Sequence, residues 1–351
     1  MTDQVHLTPQ RIRAERQDNP KLRDRDLAQR LGIAEAQLVA AHCGRGVTRI
    51  AADPDRLMPR LADLGEVMAL TRNRSCVIEK IGRYDNYQSG QHAAMVLTRE
   101  IDLRLFPAHW VTGFAVERET DHGIRRSLQI FDAAGDAVHK VFLREGADLE
   151  AWARLVSDLA LAEQAETLQV APRAPVEAPR ADPAKAERLR AEWAGLTDTH
   201  QFLRMVSRLK MNRLGAYRIA GAPLARPLAR DVSASLLEQI RDQGIEVMIF
   251  VGNRGCIEIH GGPVASVKPM GPWLNVLDPG FNLHLRADHV AEIWAVEKPT
   301  QRGPAVSVEA FDADGALIYQ IFGRRFETED HRGAWNRLVA GLPALNPAEV
   351  A

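Results

Sequence analysis

A histidine stands at what reads as a helix start in the stretch Leu196-Thr197-Asp198-Thr199-His200-Gln201-Phe202-Leu203-Arg204-Met205-Val206. Asp198 is a good N-cap type, and Gln201 three residues on completes the pattern of a capping box. Phe202, Met205, Val206 and Leu209 then recur at helical spacing. His200 is therefore expected in the first turn of an amphipathic helix. The positive end of the helix dipole disfavours imidazolium there. A neutral imidazole is the form that ligates metals. The plain alternative is a surface histidine beside a cap, and the stretch by itself leaves both open.

The rest of the chain narrows the chemistry by what it lacks. Eleven histidines and three cysteines are present, yet none falls in a metal cluster by spacing: there is no HExxH, no Cys/His finger and no EF-hand loop. A P-loop, a GxGxxG after a strand and a GxSxG elbow are all missing, so hydrolase and nucleotide-enzyme readings have no support. What remains is one axial-type histidine, cationic side chains, and apolar residues able to line a pocket. Haem needs that set: imidazole for iron, cations for two propionates, and aliphatic or aromatic walls. Composition does not select haem over other ligands. Taken singly, Arg104 in a strand reads equally as a solvated edge residue or a functional one, Arg213 and Lys298 as surface charges, and Met248 and Phe250 as strand core residues.

Length and composition set the frame. The chain has 351 residues, enough for two domains, and is 46% hydrophobic and 26% charged, an ordinary globular balance. A net charge of −1 offers no basic field for nucleic acid or acidic lipid. Cys43, Cys76 and Cys256 form no CxxC pair and fit a reducing compartment. Met1 to Gln10 has no signal-peptide character, and no apolar run reaches the length of a membrane span. A soluble cytoplasmic protein is expected.

The elements that must position these residues come in two sets. Residues 11–42 read as helices, with a helix-turn-helix-like segment at 26–38 around Gly32, and 56–64 as another short helix. Strands are expected at Val67–Leu70, Cys76–Ile81, Ala94–Thr98, Asp102–Phe106, Phe114–Glu117, Ser127–Phe131 and Ala137–Phe142, then a helix around Leu149–Glu163. Pro172, Pro175, Pro179 and Pro183 mark a stiff extended linker. Helices at roughly 184–243, strands at 245–324 and a helix at 330–340 follow.

The second set repeats the first. A shift of 180 residues pairs Glu66-Val67-Met68 with Glu246-Val247-Met248, Asn73-Arg74 with Asn253-Arg254, and Cys76 with Cys256. The same shift pairs Leu103-Arg104-Leu105 with Leu283-His284-Leu285, Ala115-Val116-Glu117 with Ala295-Val296-Glu297, and Phe131-Asp132-Ala133 with Phe311-Asp312-Ala313. Ala151-Trp152 matches Ala334-Trp335 at a shift of 183, after a small insertion. Chance does not hold one register over such a span. The chain is a tandem duplication of an α+β unit: repeat 1–165, linker 166–184, repeat 185–351. Duplication supplies an internal control, because positions that differ between repeats have been freed for a single shared site. The helical stretch 11–40 contains no histidine, so His200 has no counterpart there, and Arg104 faces His284 in register.

Several segments resemble one family: Leu196–Phe202, Asp102-Leu103-Arg104-Leu105-Phe106, Val247-Met248-Ile249-Phe250-Val251-Gly252-Asn253-Arg254-Gly255-Cys256 and Gly271-Pro272-Trp273-Leu274-Asn275. Together they resemble the bacterial cytoplasmic haem-utilisation proteins of the HmuS/HemS type, the hemin-degrading factors. The resemblance covers nearly the whole chain. It implies two similar halves, each a large antiparallel sheet with flanking helices, and haem held in a cleft between them. It implies His200 as the proximal iron ligand and Arg104 on the distal side, holding a water or polarising bound oxygen. It places Phe106, Met248 and Phe250 as pocket walls, Arg213 and Lys298 near the propionates, and Gln320 as a further pocket residue. Where the family pattern has a tyrosine, this chain has Phe322, which cannot donate a hydrogen bond.

Two functions follow from the resemblance. One is oxidative degradation of haem to release iron, using O2 and an external reductant, since the chain carries no flavin or nicotinamide motif. The other is a haem chaperone delivering to a dedicated haem oxygenase. A haem ABC importer upstream or a haem oxygenase downstream is the expected partner, and the protein is expected as monomer or dimer. A DNA-binding regulator using residues 26–38 is the third reading, weakened by Asp24, Asp26 and Glu35 around that segment.

Overall fold

The computed structural model describes residues 7–325 and 329–345. The first repeat runs α1 (Pro9–Asp18), α2 (Asp24–Leu31), α3 (Glu35–Ala40), β1 (Val47–Ile50), α4 (Pro54–Leu61), β2 (Val67–Arg72), β3 (Cys76–Gly82), β4 (Tyr87–Gln88), β5 (Ala94–Leu97), β6 (Asp102–Leu105), β7 (Thr112–Thr120), β8 (Gly123–Phe131), β9 (Ala137–Leu143) and α5 (Leu149–Leu159). The second runs α6 (Ala186–Ala194), α7 (Gln201–Arg208), α8 (Arg213–Ala220), β10 (Ala225–Leu228), α9 (Val232–Asp242), β11 (Val247–Gly252), β12 (Cys256–Gly262), β13 (Val267–Met270), β14 (Trp273–Asp278), β15 (Phe281–Arg286), β16 (Glu292–Lys298), β17 (Ala305–Phe311), β18 (Leu317–Gly323) and α10 (Arg332–Gly341). Strands β2, β3, β7 and β9 begin 180 residues before β11, β12, β16 and β18, so the register read from the sequence is a structural register. The fold is α+β with large antiparallel sheets, as expected of the duplication.

Two four-residue strands were not foreseen, nor was the two-residue β4 (Tyr87–Gln88). Val47–Ile50 had no assignment, and Ala225–Leu228 fell inside a stretch read as helical. Each is four residues long and ends its row of strands. Pro227 lies in β10, and proline is tolerated on such an edge strand because no ladder donor is needed there. A strand this short shows no alternation long enough to read.

The chain folds into two compact units, and each incorporates one segment from the other repeat: Asn73–Ile78 belongs to the second unit and Gly252–Glu258 to the first. Both segments contain the paired Asn-Arg motif, and the asparagine makes the same turn each time. Asn73 Oδ1 accepts from the backbone N–H of Ser75 at 2.9 Å and of Cys76 at 2.8 Å. Asn253 Oδ1 accepts from Gly255 at 2.9 Å and Cys256 at 3.0 Å. This is an Asx-type turn. In the first unit Asn253 also donates to the carbonyls of Val138 at 2.8 Å and Arg72 at 2.9 Å, while in the second Asn73 donates to Ile318 at 2.8 Å. The cysteine that follows is buried in each case.

In the first unit the strands order as β1-β7-β8-β9-β2-β3, and β4-β5-β6 adjoins β12, whose Cys256–Glu258 belong to this unit. In the second the order is β10-β16-β17-β18-β11-β12, and β13-β14-β15 adjoins β3 through the unit containing Cys76–Ile78. Each first row has one face packed by two helices. In the first unit Leu57, Met58 and Leu61 of α4 and Trp152, Leu155 and Leu159 of α5 share a core with Val67, Ala69, Leu128 and Val141. In the second, Leu236 and Ile240 of α9 and Trp335 and Leu338 of α10 do the same with Val247, Ile249, Val308 and Ile321. The opposite face of the second unit is covered in part by α6, α7 and α8, which pack on Trp294, Val296 and Phe311. The linker divides between the units, 166–174 with the first and 175–184 with the second. Among the described residues no helix is long and apolar enough to cross a membrane.

The helix-turn-helix look-alike is real in outline but not in purpose. Gly32 takes a left-handed φ of 67° between α2 and α3. Yet α3 has six residues, and Glu35, Ala36, Leu38, Val39 and Ala40 are all buried. Glu35 accepts from Lys140 Nζ at 2.5 Å. A recognition helix must offer its face to a groove, and this one is used up in the core.

Candidate functional site

Helix α7 carries His200 differently from the sequence expectation. His200 is itself the cap residue, with φ −66° and ψ −20°, one position before the helix. Asp198 does not cap the first-turn amides; its Oδ1 accepts from the His200 backbone N–H at 2.8 Å and sits 2.7 Å from the His200 ring Nδ1. Gln201 turns back, its Oε1 accepting from Thr197 N at 3.0 Å and its Nε2 donating to Thr197 Oγ1 at 3.1 Å. Gln201 therefore keeps half of the capping-box role, and Asp198 is diverted to the histidine because a tight turn brings its oxygen onto His200. The two bonds from His200, backbone first and ring second, hold the Asp198 carboxyl below its usual range, so it is a carboxylate. A carboxylate only accepts. Nδ1 must then carry a proton, and in the neutral ring it is Nε2 that keeps the lone pair. The His200 side chain is 93% exposed.

The inner face of α7 is anchored by aromatic and ionic contacts. Phe202, Met205 and Val206 are buried. The Phe202 ring lies edge-on to Trp193 at 4.6 Å and 5.7 Å from Tyr217. The Lys298 ammonium sits 4.9 Å from the Phe202 ring centroid, a cation–π distance. Lys298 in turn donates to Glu309 Oε1 at 2.9 Å and to Tyr217 Oη at 3.1 Å. Glu309, fully buried on β17, also accepts from Arg213 Nη1 at 2.8 Å, Tyr217 Oη at 2.9 Å and Ser307 Oγ at 2.8 Å. Burial alone would raise the Glu309 carboxyl; Lys298 and Arg213 overcome it and hold the group well below the carboxylate range. Burial lowers Lys298, with Glu309 opposing. Burial also works against the Arg213 charge, but Glu309 more than restores it. The reading of Arg213 and Lys298 as surface charges is corrected: Lys298 is buried and Arg213 mostly so, because both are needed to neutralise a carboxylate inside the sheet face.

Beyond α6–α8 the same sheet face continues, less covered. Register places Phe250 opposite Gln320 and Met248 opposite Phe322, and Gln320 opposite Glu309 on the next strand. Met248, Phe250, Gln320 and Phe322 are all half-buried, alternating with the buried Val247, Ile249, Val251 and Ile321. The default reading of Met248 and Phe250 as core residues is thus corrected; period-2 alternation puts them on the side that α9 and α10 do not cover. Phe250 and Phe322 meet edge-on at 5.4 Å, so the phenylalanine that stands in place of the tyrosine is a packing partner.

Arg104 and Phe106 belong to the first unit. Arg104, half-buried on β6 opposite Met95, donates to the Asp102 carboxylate and, at 3.1 Å, to the Leu103 carbonyl. Phe106 is half-buried just past the strand, its N–H donating to Gly255 O at 2.9 Å.

The family model described as the haemin-degrading HemS.ChuX domain matches twice, at residues 32–159 and 210–342. The chain belongs to the HemS/ChuX family. The hemin transport protein HmuS of Yersinia pestis is 38% identical over 93% of this chain and 94% of its own length. The structure of holo-PhuS, a heme-binding protein from Pseudomonas aeruginosa, superposes with a TM-score of 0.91 at 42% identity, covering 97% of this chain and all of that one. The heme-degrading enzyme ChuS of Escherichia coli O157:H7 gives a TM-score of 0.86 at 34% identity, over 95% of this chain and 98% of its own.

Three features of this HemS/ChuX chain escaped the sequence reading. Glu309 organises the buried ion network; its repeat partner is Gln129, so a charge replacing an amide was the available signal. Asp198 has the residue type of a cap, but its partners are the His200 backbone and ring. The third is a buried polar cluster in the first unit. Tyr84 Oη lies 2.5 Å from His139 Nε2, Thr71 Oγ1 lies 2.8 Å from His139 Nδ1, and Cys256 Sγ lies 3.4 Å from Thr71. Glu258 is 4.0 Å from His139, and neither of its carboxyl oxygens finds a hydrogen-bond partner among the described residues. Burial pushes Glu258 up to about 8 and His139 down to about 3, and it raises the Cys256 thiol far out of the reactive range. The cysteine is a core residue, not a nucleophile.

Proposed function

We propose that this protein is a cytoplasmic haem-binding protein of haem-iron utilisation that degrades haem oxidatively, with O2 and an external electron donor. The observation that carries the reading is His200: an exposed imidazole whose Nδ1 is occupied by a carboxylate and whose Nε2 is free to take iron. Relatives in the family named for haem transport, haem binding and haem degradation support haem as the ligand. In this reading haem is substrate. His200 holds the iron. Arg104, carried by the first unit, serves the distal side with its guanidinium steered by Asp102. Met248, Phe250, Phe106 and Gln320 line the pocket, Arg213 offers a cation to a propionate, and Lys298 supports α7 through Phe202. The chain would receive haem from an ABC importer.

Titration of the protein with hemin, followed by ascorbate or a reductase in air with catalase present, tests the reading. A Soret band that decays with release of a linear tetrapyrrole is the expected result. A Soret band that persists refutes degradation and makes the protein a chaperone for a dedicated haem oxygenase. His200→Ala should weaken hemin binding or change the iron spin state; an unchanged spectrum refutes the ligand assignment.

A further inference from the structure

We infer that Asp198 is a positioning residue for the iron-binding imidazole, a carboxylate–histidine pair built into the turn before α7; the inference rests on the proposed role of His200. One oxygen, Asp198 Oδ1, takes both the backbone N–H of His200 at 2.8 Å and the ring Nδ1–H at 2.7 Å. The two bonds fix the residue and its ring together. In the neutral ring the acceptor-only carboxylate selects the Nδ1–H tautomer, so the lone pair is on Nε2. A carboxylate on the far nitrogen also makes the imidazole a stronger donor to a metal.

The turn that carries Asp198 is itself pinned. Gln201 Oε1 accepts from Thr197 N at 3.0 Å and from Asp198 N at 3.4 Å. The Thr197 carbonyl accepts from Gln301 N at 3.0 Å. An exposed histidine without such a brace would sample several rotamers and lose that freedom on binding. Asp198 removes part of that cost before the ligand arrives. The pair lies on the surface, so its loss leaves the core of α7 (Phe202, Met205, Val206) untouched.

Three variants test this: Asp198→Ala, Asp198→Asn and His200→Ala, each read by hemin affinity and by the iron–histidine stretching frequency of the ferrous complex in resonance Raman. Asp198→Ala should weaken hemin binding about 10–100-fold, the usual loss when the outer partner of a ligating histidine is removed. Asp198→Asn keeps an oxygen for the His200 backbone N–H but not the charge, so it should lower the iron–histidine frequency with the urea midpoint unchanged. An Asp198→Ala variant with wild-type affinity and frequency, beside a His200→Ala variant that loses both, overturns the positioning role while leaving the ligand assignment standing. Weaker binding in Asp198→Ala with no frequency change in Asp198→Asn reduces Asp198 to a turn former and overturns the inference equally. If His200→Ala changes nothing, the functional reading falls, and this one with it.

Discussion

Replacing Glu309 by glutamine should cost the protein about 3–5 kcal/mol at neutral pH, although it changes one atom. Glu309 is fully buried and takes hydrogen bonds from Lys298, Arg213, Tyr217 and Ser307 at 2.8 to 2.9 Å. Glutamine keeps the shape and loses the charge, which leaves the Lys298 ammonium buried without its carboxylate. Removing one partner of a buried pair typically costs about 3–5 kcal/mol. The alternative route gives the same figure. A lysine that loses its proton at pH 7 instead of near its ordinary value of about 10.4 sacrifices about 5 kcal/mol at about 1.4 kcal/mol per unit. The two routes separate with pH. In the variant Lys298 sheds its proton on folding, so the unfolded state binds more protons and stability rises with pH. The deficit against wild type should therefore shrink by up to about 1.4 kcal/mol per pH unit between pH 7 and pH 9. Urea denaturation at those two pH values reads it. Because Lys298 lies 4.9 Å from the Phe202 ring, two residues from His200, hemin affinity should fall as well. A variant within about 1 kcal/mol of wild type at pH 7, with no pH dependence of the difference, would refute the reasoning.

Three further outcomes are expected. Arg104→Ala should retain hemin while altering distal water or oxygen chemistry in the absorption spectrum; complete loss of hemin would make Arg104 a propionate anchor. The buried first-unit cluster should shape the stability–pH curve in two limbs. Glu258, raised to about 8, stabilises fully below its unfolded value and loses that contribution as pH climbs toward 8; His139, lowered to about 3, loses its contribution as pH falls from its ordinary value toward 3. Urea midpoints from pH 6.5 to 8.5 should then decline in wild type and flatten in Glu258→Gln, and an equal slope in both proteins counts against the assignment. Gly215→Ala should destabilise by about 1–3 kcal/mol, since an added Cβ would meet the Arg180 carbonyl oxygen at 2.0 Å; a urea midpoint equal to wild type would show that the 175–184 segment yields easily.

The architecture was legible because duplication writes every element twice. Cys76 and Cys256, or Phe131-Asp132-Ala133 and Phe311-Asp312-Ala313, align without any knowledge of structure; the first pair starts β3 and β12, and the second ends β8 and β17 in the same register. Helix α7 was legible from its apolar spacing. The edge strands β1 and β10 were not, for want of length. The buried ions were missed for a different reason. Strand alternation puts Glu309 and Lys298 on the face that α9 and α10 do not cover, which reads as solvent. Only the packing of α6, α7 and α8 over that face buries them, and a second layer is a tertiary fact. Asp198 was misread because a cap and a histidine brace ask for the same residue type at nearly the same position.

The repeats also show where the fold had a choice. At the shift of 180, Thr71, Tyr84, His139 and Glu258 of the first-unit cluster correspond to Val251, Val264, Tyr319 and Ile78. One backbone address accepts a polar set in one unit and a largely apolar set in the other, so the fold requires neither. The same holds in reverse for Glu309, whose counterpart is the neutral Gln129, donating to Ser127 Oγ at 3.1 Å. A buried ion pair is seldom more stable than an apolar replacement of equal volume, so fold stability alone does not account for Glu309 and Lys298. Their distinguishing contact is the ammonium against Phe202, and through it the helix that begins at His200. The charge sits where it fixes the helix start that bears the proposed iron ligand, and the first repeat, with Gln129 in place of Glu309, has no histidine in its matching helix α2.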